Sequence, residues 1–172
     1  KAAGMCAYDV ELAWLSGMLH DVGRFEQIKR YNTFSDADSV DHARFGADLL
    51  FKDGLISTFL KGMVKCTGYK PGALEDRYGS DGVFLYNKLN KSDMEMLELA
   101  IRCHNMYRIP QGLNRREQAF CNVLRDADKV DIFKVNIDTP LEEIYNTTTE
   151  ELMKSDITDE VLEAFGEEHC IL

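Results

Sequence analysis

The 172-residue chain has room for one domain with a single core, and its 45% hydrophobic and 29% charged residues are those of an ordinary globular protein. A formal net charge of -10 argues against sequence-independent nucleic-acid binding, which needs basic surface to displace phosphate counterions. No apolar run approaches the roughly 20 residues of a membrane helix, so a soluble protein without a membrane partner is expected. Five scattered cysteines (Cys6, Cys66, Cys103, Cys121, Cys170) form no CxxC pair, which suits reduced thiols packed as small core residues in a cytoplasm.

Lys1-Ala2-Ala3-Gly4-Met5 reads as the tail of a helix, so the chain is expected to be a fragment of a longer one. Asp9 is a candidate cap for a first helix whose apolar residues Val10, Ala13, Trp14, Leu15, Met18 and Leu19 recur at helical spacing, with Gly23 as its stop. That places His20 and Asp21 on its last turn. Residues 24–38 are polar and aperiodic; Ser39 then caps a helix through Ala43, Ala47, Leu49 and Leu50, ended by Gly54, with His42 in its first turn. A further apolar run spans 55–66, and the Gly-, Lys- and Asp-rich stretch 67–82 reads as a flexible loop.

Ser92-Asp93-Met94-Glu95 has the pattern of a capping box opening a helix through Leu97, Leu99, Ala100 and Ile101, with His104 near its end. Pro110 and Gly112 break the chain before a second capping box, Asn114-Arg115-Arg116-Glu117. From there an apolar series (Ala119, Phe120, Val123, Leu124, Ala127, Val130, Phe133) predicts a long helix to about Val135, with Asp128 in its interior. Short helical patterns at 141–145 and 158–165 complete an all-α reading: one helical bundle with its core over 9–136 and a helical extension over 137–172.

Three of the four histidines therefore fall on or beside three different helices, accompanied by Asp21 and Asp128, which is how helical bundles build metal sites from facing side chains. Adjacent His20 and Asp21 alone offer one imidazole and one carboxylate, half of a divalent-metal site. Taken singly, a helical histidine is more often a hydrogen-bonded core or surface residue. Asp128 is sharper, because a carboxylate buried between Ala127 and Val130 costs several kcal/mol unless a cation or donors compensate it. Asp126 and Asp131 flank the apolar stripe among Arg125, Lys129 and Lys134 and read as solvated surface.

With Leu19-His20-Asp21-Val22-Gly23-Arg24 and Ala127-Asp128-Lys129-Val130 in this order, the chain resembles the HD-domain superfamily, all-α metal-dependent phosphohydrolases marked by H…HD…D, over about residues 10–135. It departs from that pattern in having no histidine before His20, where the family places its first ligand; the expected explanation is that the preceding helix lies outside this chain. His42 and His104 extend the pattern to HD…H…H…D, similar to branches that hold two metals through a bridging HD aspartate. The segment 104–113 also resembles the stretch after the second-metal histidine in HD-GYP cyclic-dinucleotide phosphodiesterases, although the GYP element itself is unmatched.

The resemblance implies one or two divalent ions (Mn, Fe, Ni, Co, Zn or Mg): a first on His20, Asp21 and Asp128, and a second on His42 and His104 through Asp21. A water activated by the metal would then attack a phosphoester of a small phosphorylated or nucleotide substrate. Arg24 is the first candidate for a phosphate clamp, with a surface or helix-end cation as its competing explanation; Lys29, Arg30 and Arg108 come behind it. Two other readings stay open: an HD-fold di-iron oxygenase, whose spacing from His20 to His42 is similar, and a non-catalytic helical binding module. Substrate choice is expected to reside in the loops 24–38 and 67–90.

Overall fold

The computed structural model describes residues 5–66, 89–145 and 147–167, with side chains described throughout these ranges except at 61–66, 143 and 145. All regular structure among them is helical, with no strand: α1 (Ala7–Leu19), α2 (Val22–Tyr31), α3 (His42–Ala47) widening into a π turn (Asp48–Lys52), α4 (Leu55–Cys66), α5 (Lys91–Cys103), α6 (Arg115–Asp138), α7 (Leu141–Tyr145), α8 (Thr149–Leu152) and α9 (Asp159–Gly166). None of the described helices is long and apolar enough to cross a membrane. The chain separates into two compact units, Lys1–Asp128 and Lys129–Leu172, the division falling inside α6. The helix tail expected at 1–5 and the loops at 67–82 and 67–90 lie wholly or largely outside the described residues.

In the first unit α3 packs against both α2 and α5, and α1 packs on α5. The core is built from Leu12, Leu15 and Leu19 of α1, Ala47 and Leu50, Ile56 and Leu60 of α4, Met96, Leu97, Ala100 and Ile101 of α5, and Phe120, Cys121 and Leu124 of α6. Only part of the expected apolar stripes reaches it. Val10, Trp14 and Met18 of α1 are exposed, as are Val130 and Phe133 of α6. The buried face of α1 is set by Leu12, Leu15, Ser16 and Leu19, a 3–4 spacing that starts at a residue outside the expected set.

Four local expectations change. Asp9 does not cap α1, whose first helical residue is Ala7; it lies in the first turn and accepts from Arg116 Nε and Nη2 at 2.9 and 2.7 Å. Ser39 does not cap α3; Asp41 does, its carboxylate accepting from the Arg44 amide at 3.0 Å. The box opening α5 is set two residues earlier, where Asn90 and Asp93 exchange side-chain to backbone hydrogen bonds. The box at Asn114 and Glu117 forms as expected, and Gly54, just past the π turn, and Gly112, in the turn before α6, take positive φ.

The fourth change matters most for the site. Gly23 ends no helix but lies within α2, and 24–31 is helical where an irregular segment was expected. A methyl group on Gly23 would lie 2.2 Å from the His42 carbonyl and 2.8 Å from the Gly46 amide nitrogen. The glycine is therefore what lets α2 and α3 touch backbone to backbone, bringing the His20-Asp21 corner and His42 together. Gln27, one turn on, is fully buried on the same face while Phe25 is 80% exposed. The buried face of α2 is thus small and polar, which inverts the apolar signal that reveals most helices.

Candidate metal centre

Each site residue sits at a helix end or faces one. His20 and Asp21 form the corner between α1 and α2, His42 opens α3, His104 follows α5, and Asp128 lies on α6. His20 Nδ1 faces the Gly17 carbonyl at 2.7 Å and His104 Nδ1 faces the Ile101 carbonyl at 2.7 Å, each three residues back on its own helix. A carbonyl only accepts, so in both rings Nδ1 carries a proton and Nε2 is the nitrogen turned towards the site. His42 reaches the same state by another route, with Nδ1 at 2.6 Å from Asp36 Oδ2.

The three Nε2 atoms converge on Asp21. On one side His20 Nε2 lies 3.6 Å from Asp21 Oδ2 and 3.5 Å from Asp128 Oδ1. On the other, Asp21 Oδ1 lies 3.4 Å from His42 Nε2 and 3.6 Å from His104 Nε2, and these two nitrogens are 3.0 Å apart. Asp21 Oδ1 is buried and has no hydrogen-bond partner. Two lone pairs and a carboxylate oxygen brought this close repel one another unless a cation or a proton stands among them. His20, Asp21 and His104 place ligand atoms within 4.8 Å of one another, a group that could hold a metal ion.

Charge states agree with that chemistry. Burial opposes ionisation of Asp21, yet the imidazoles of His104, His20 and His42 beside it hold its carboxyl below the ordinary range. Burial, aided by the Arg24 guanidinium, holds His42 below the usual histidine value despite Asp36 and Asp21. Burial also disfavours a charged His20, but the neighbouring Asp128 carboxylate, the Gly17 carbonyl and the charge of Asp21 outweigh that and raise it. The carboxylates that raise His20 favour any cation beside it.

Asp128 reaches the site for a different reason from the one its sequence suggests. Ala127 and Val130 are exposed, so Asp128 is not a charge trapped in an apolar stripe; its side chain is 22% exposed and turned to His20. Asp126 and Asp131 are exposed. Arg24 is committed within the protein: Nη1 faces Gln27 Oε1, the Phe34 carbonyl and Asp36 Oδ1 at 3.0, 2.6 and 2.9 Å, so that nitrogen is not an open phosphate clamp. Lys29 and Arg30 pair with Glu26, and Arg108 lies over the Tyr107 ring. Sequence reasoning passed over Asp36, Gln27 and Asn105, whose Nδ2 reaches Asp41 and Asp36 at 3.1 and 3.4 Å.

No family model, curated protein or solved structure matches the chain. What the fold and the site define together is an all-helical protein with a histidine and aspartate cluster suited to a metal ion.

Proposed function

We propose that the protein is a metal-dependent phosphohydrolase acting on a small phosphorylated or nucleotide substrate. The observation that carries the metal reading is the placement of Asp21, with Oδ2 towards His20 and Asp128 and the buried, unpartnered Oδ1 towards His42 and His104. A bridging carboxylate needs two such faces. The donor set of three imidazoles and two carboxylates suits first-row divalent ions, and the ordered pattern His20-Asp21…His42…His104…Asp128 supplies the phosphohydrolase reading.

A divalent ion, when bound, supplies Lewis acidity, stabilising charge on phosphoryl oxygens and making hydroxide available at neutral pH. The chain's own residues supply holding and access. His104 and His42 are almost fully buried, whereas the side chains of His20 and Asp21 are 21% and 46% exposed, so substrate approaches from the α1–α2 corner. The Nδ1 contacts fix each ring so that Nε2 keeps its direction through a turnover.

Phosphate release from a panel of phosphomonoesters, nucleotides and cyclic dinucleotides, with added Mn²⁺ or Mg²⁺, tests the reading. Activity lost by at least about a hundredfold in His20→Ala and Asp128→Ala supports it. A metal-loaded protein with no phosphatase activity on the panel contradicts it, and oxygen-dependent turnover on bound iron would move the same site to the di-iron oxygenase class.

A further inference from the structure

We propose that Asp36 is the positioning residue of the His42–His104 side of the centre, and that Arg24 serves Asp36 and not the substrate. The inference rests on the metal reading above and concerns the shell that supports it.

The three histidines differ in what holds Nδ1. His20 and His104 follow helices and use a carbonyl one turn back. His42 is the first residue of α3, so no preceding turn of its own helix offers a carbonyl, and an outside acceptor is required. Asp36 is that acceptor at 2.6 Å, and it is the one carboxylate among the three Nδ1 partners. A carboxylate behind an imidazole fixes the ring and makes Nε2 a stronger donor than a neutral carbonyl does.

Asp36 lies outside any helix, and its position comes from other side chains. Oδ1 accepts from Arg24 Nη1 at 2.9 Å and Gln27 Nε2 at 3.0 Å, while Oδ2 accepts from His42 Nδ1 and, at 3.4 Å, from Asn105 Nδ2. Gln27 is fully buried, accepts from Arg24 on Oε1, and its Nε2 also reaches Ser39 Oγ at 2.8 Å and the Val40 carbonyl at 3.0 Å. Arg24 and Gln27 sit on α2, Asn105 follows α5, and His42 opens α3, so one carboxylate ties together three of the elements that bring ligands to the site. A fully bonded network of this kind is rigid.

The test is a Co²⁺ titration of the wild type and Asp36→Asn, followed by visible absorption and calorimetry, with helical circular dichroism as the control for folding. The amide keeps the shape of the carboxylate and removes its charge. Wild type is expected to bind two equivalents; in Asp36→Asn one of them weakens about 10–100-fold and the other does not change. Unchanged affinity for every equivalent in the variant overturns the assignment and leaves the metal centre standing. A wild type that binds no Co²⁺ overturns the metal centre and this inference with it. If the variant fails to fold, nitrogen-15 imidazole spectra of the wild type decide: His42 protonated on Nδ1 with a far-downfield proton supports Asp36 as its partner, and an unprotonated Nδ1 overturns it.

Discussion

Residues 5–128 and 129–167 are both helical, yet every described residue classed as buried belongs to the first stretch. In the first, α1, α3, α5 and α6 close around Leu12, Leu97, Ile101 and Phe120, all at most 1% exposed. In the second, Phe133, Ile137, Met153 and Phe165 are each more than two-thirds exposed. Amphipathic spacing makes a helix; burial also requires another face placed to receive it. The site is held by the first kind of region, where close packing fixes side chains.

The same substitution in both regions sharpens the contrast most. Phe120→Ala should lower unfolding free energy by about 3–5 kcal/mol in urea denaturation, since Phe120 is 1% exposed. Gly23→Ala comes next, at about 3 kcal/mol or more, because the new methyl meets backbone atoms that cannot yield, and metal binding should be lost with it. A Gly23→Ala protein as stable as wild type would break the account of how α2 meets α3.

A smaller, pH-dependent effect belongs to the network joining α1, α5 and α6. Arg116 bonds Asp9 and buried Asp93, and Asp93 accepts from Tyr8 at 2.6 Å. Burial works against the Asp93 carboxylate, but Tyr8, Arg116 and the Asn90 amide hold its pKa below the ordinary range. Its contribution is therefore full above about pH 4 and is lost as pH falls through that range to the lowered folded value. Tyr8, by burial and the Asp93 bond, is pushed from 10.0 up to about 12, so its contribution holds below pH 10 and disappears as pH rises towards 12. Melting temperatures across pH should fall at both ends, with the alkaline fall between 10 and 12 reduced in Tyr8→Phe. The smallest effect is expected from Phe165→Ala, within about 0.5 kcal/mol, as Phe165 is 83% exposed. A loss approaching that of Phe120→Ala would erase the distinction between the two regions.

How far the molecule was legible follows the same physics. The positions of α4, α5 and α7, the capping pair Asn114 and Glu117, and the meeting of His20, Asp21, His42, His104 and Asp128 could be read because spacing and residue type carry them. α2 could not, since its buried face is Gly23 and Gln27 and its largest apolar side chain, Phe25, faces outward. Asp36 had no readable signal at all: it lies outside any helix, and only the fold brings His42, Arg24, Gln27 and Asn105 to its two oxygens. Of the cysteines, Cys103 and Cys121 are buried as expected, with burial pushing the Cys121 thiol up to about 11, whereas Cys6 is exposed; the side chains of Cys66 and Cys170 lie outside the described residues.

The central claim is that Asp21 serves two groups of metal ligands at once. Metal content by elemental analysis, on wild type and Asp21→Ala purified without chelator or oxygen, tests it most directly. The account predicts two equivalents of a first-row divalent metal or Mg in the wild type and little or none in the folded variant. A folded wild type that holds no metal even after reconstitution, or an Asp21→Ala protein that holds as much as wild type, would contradict it.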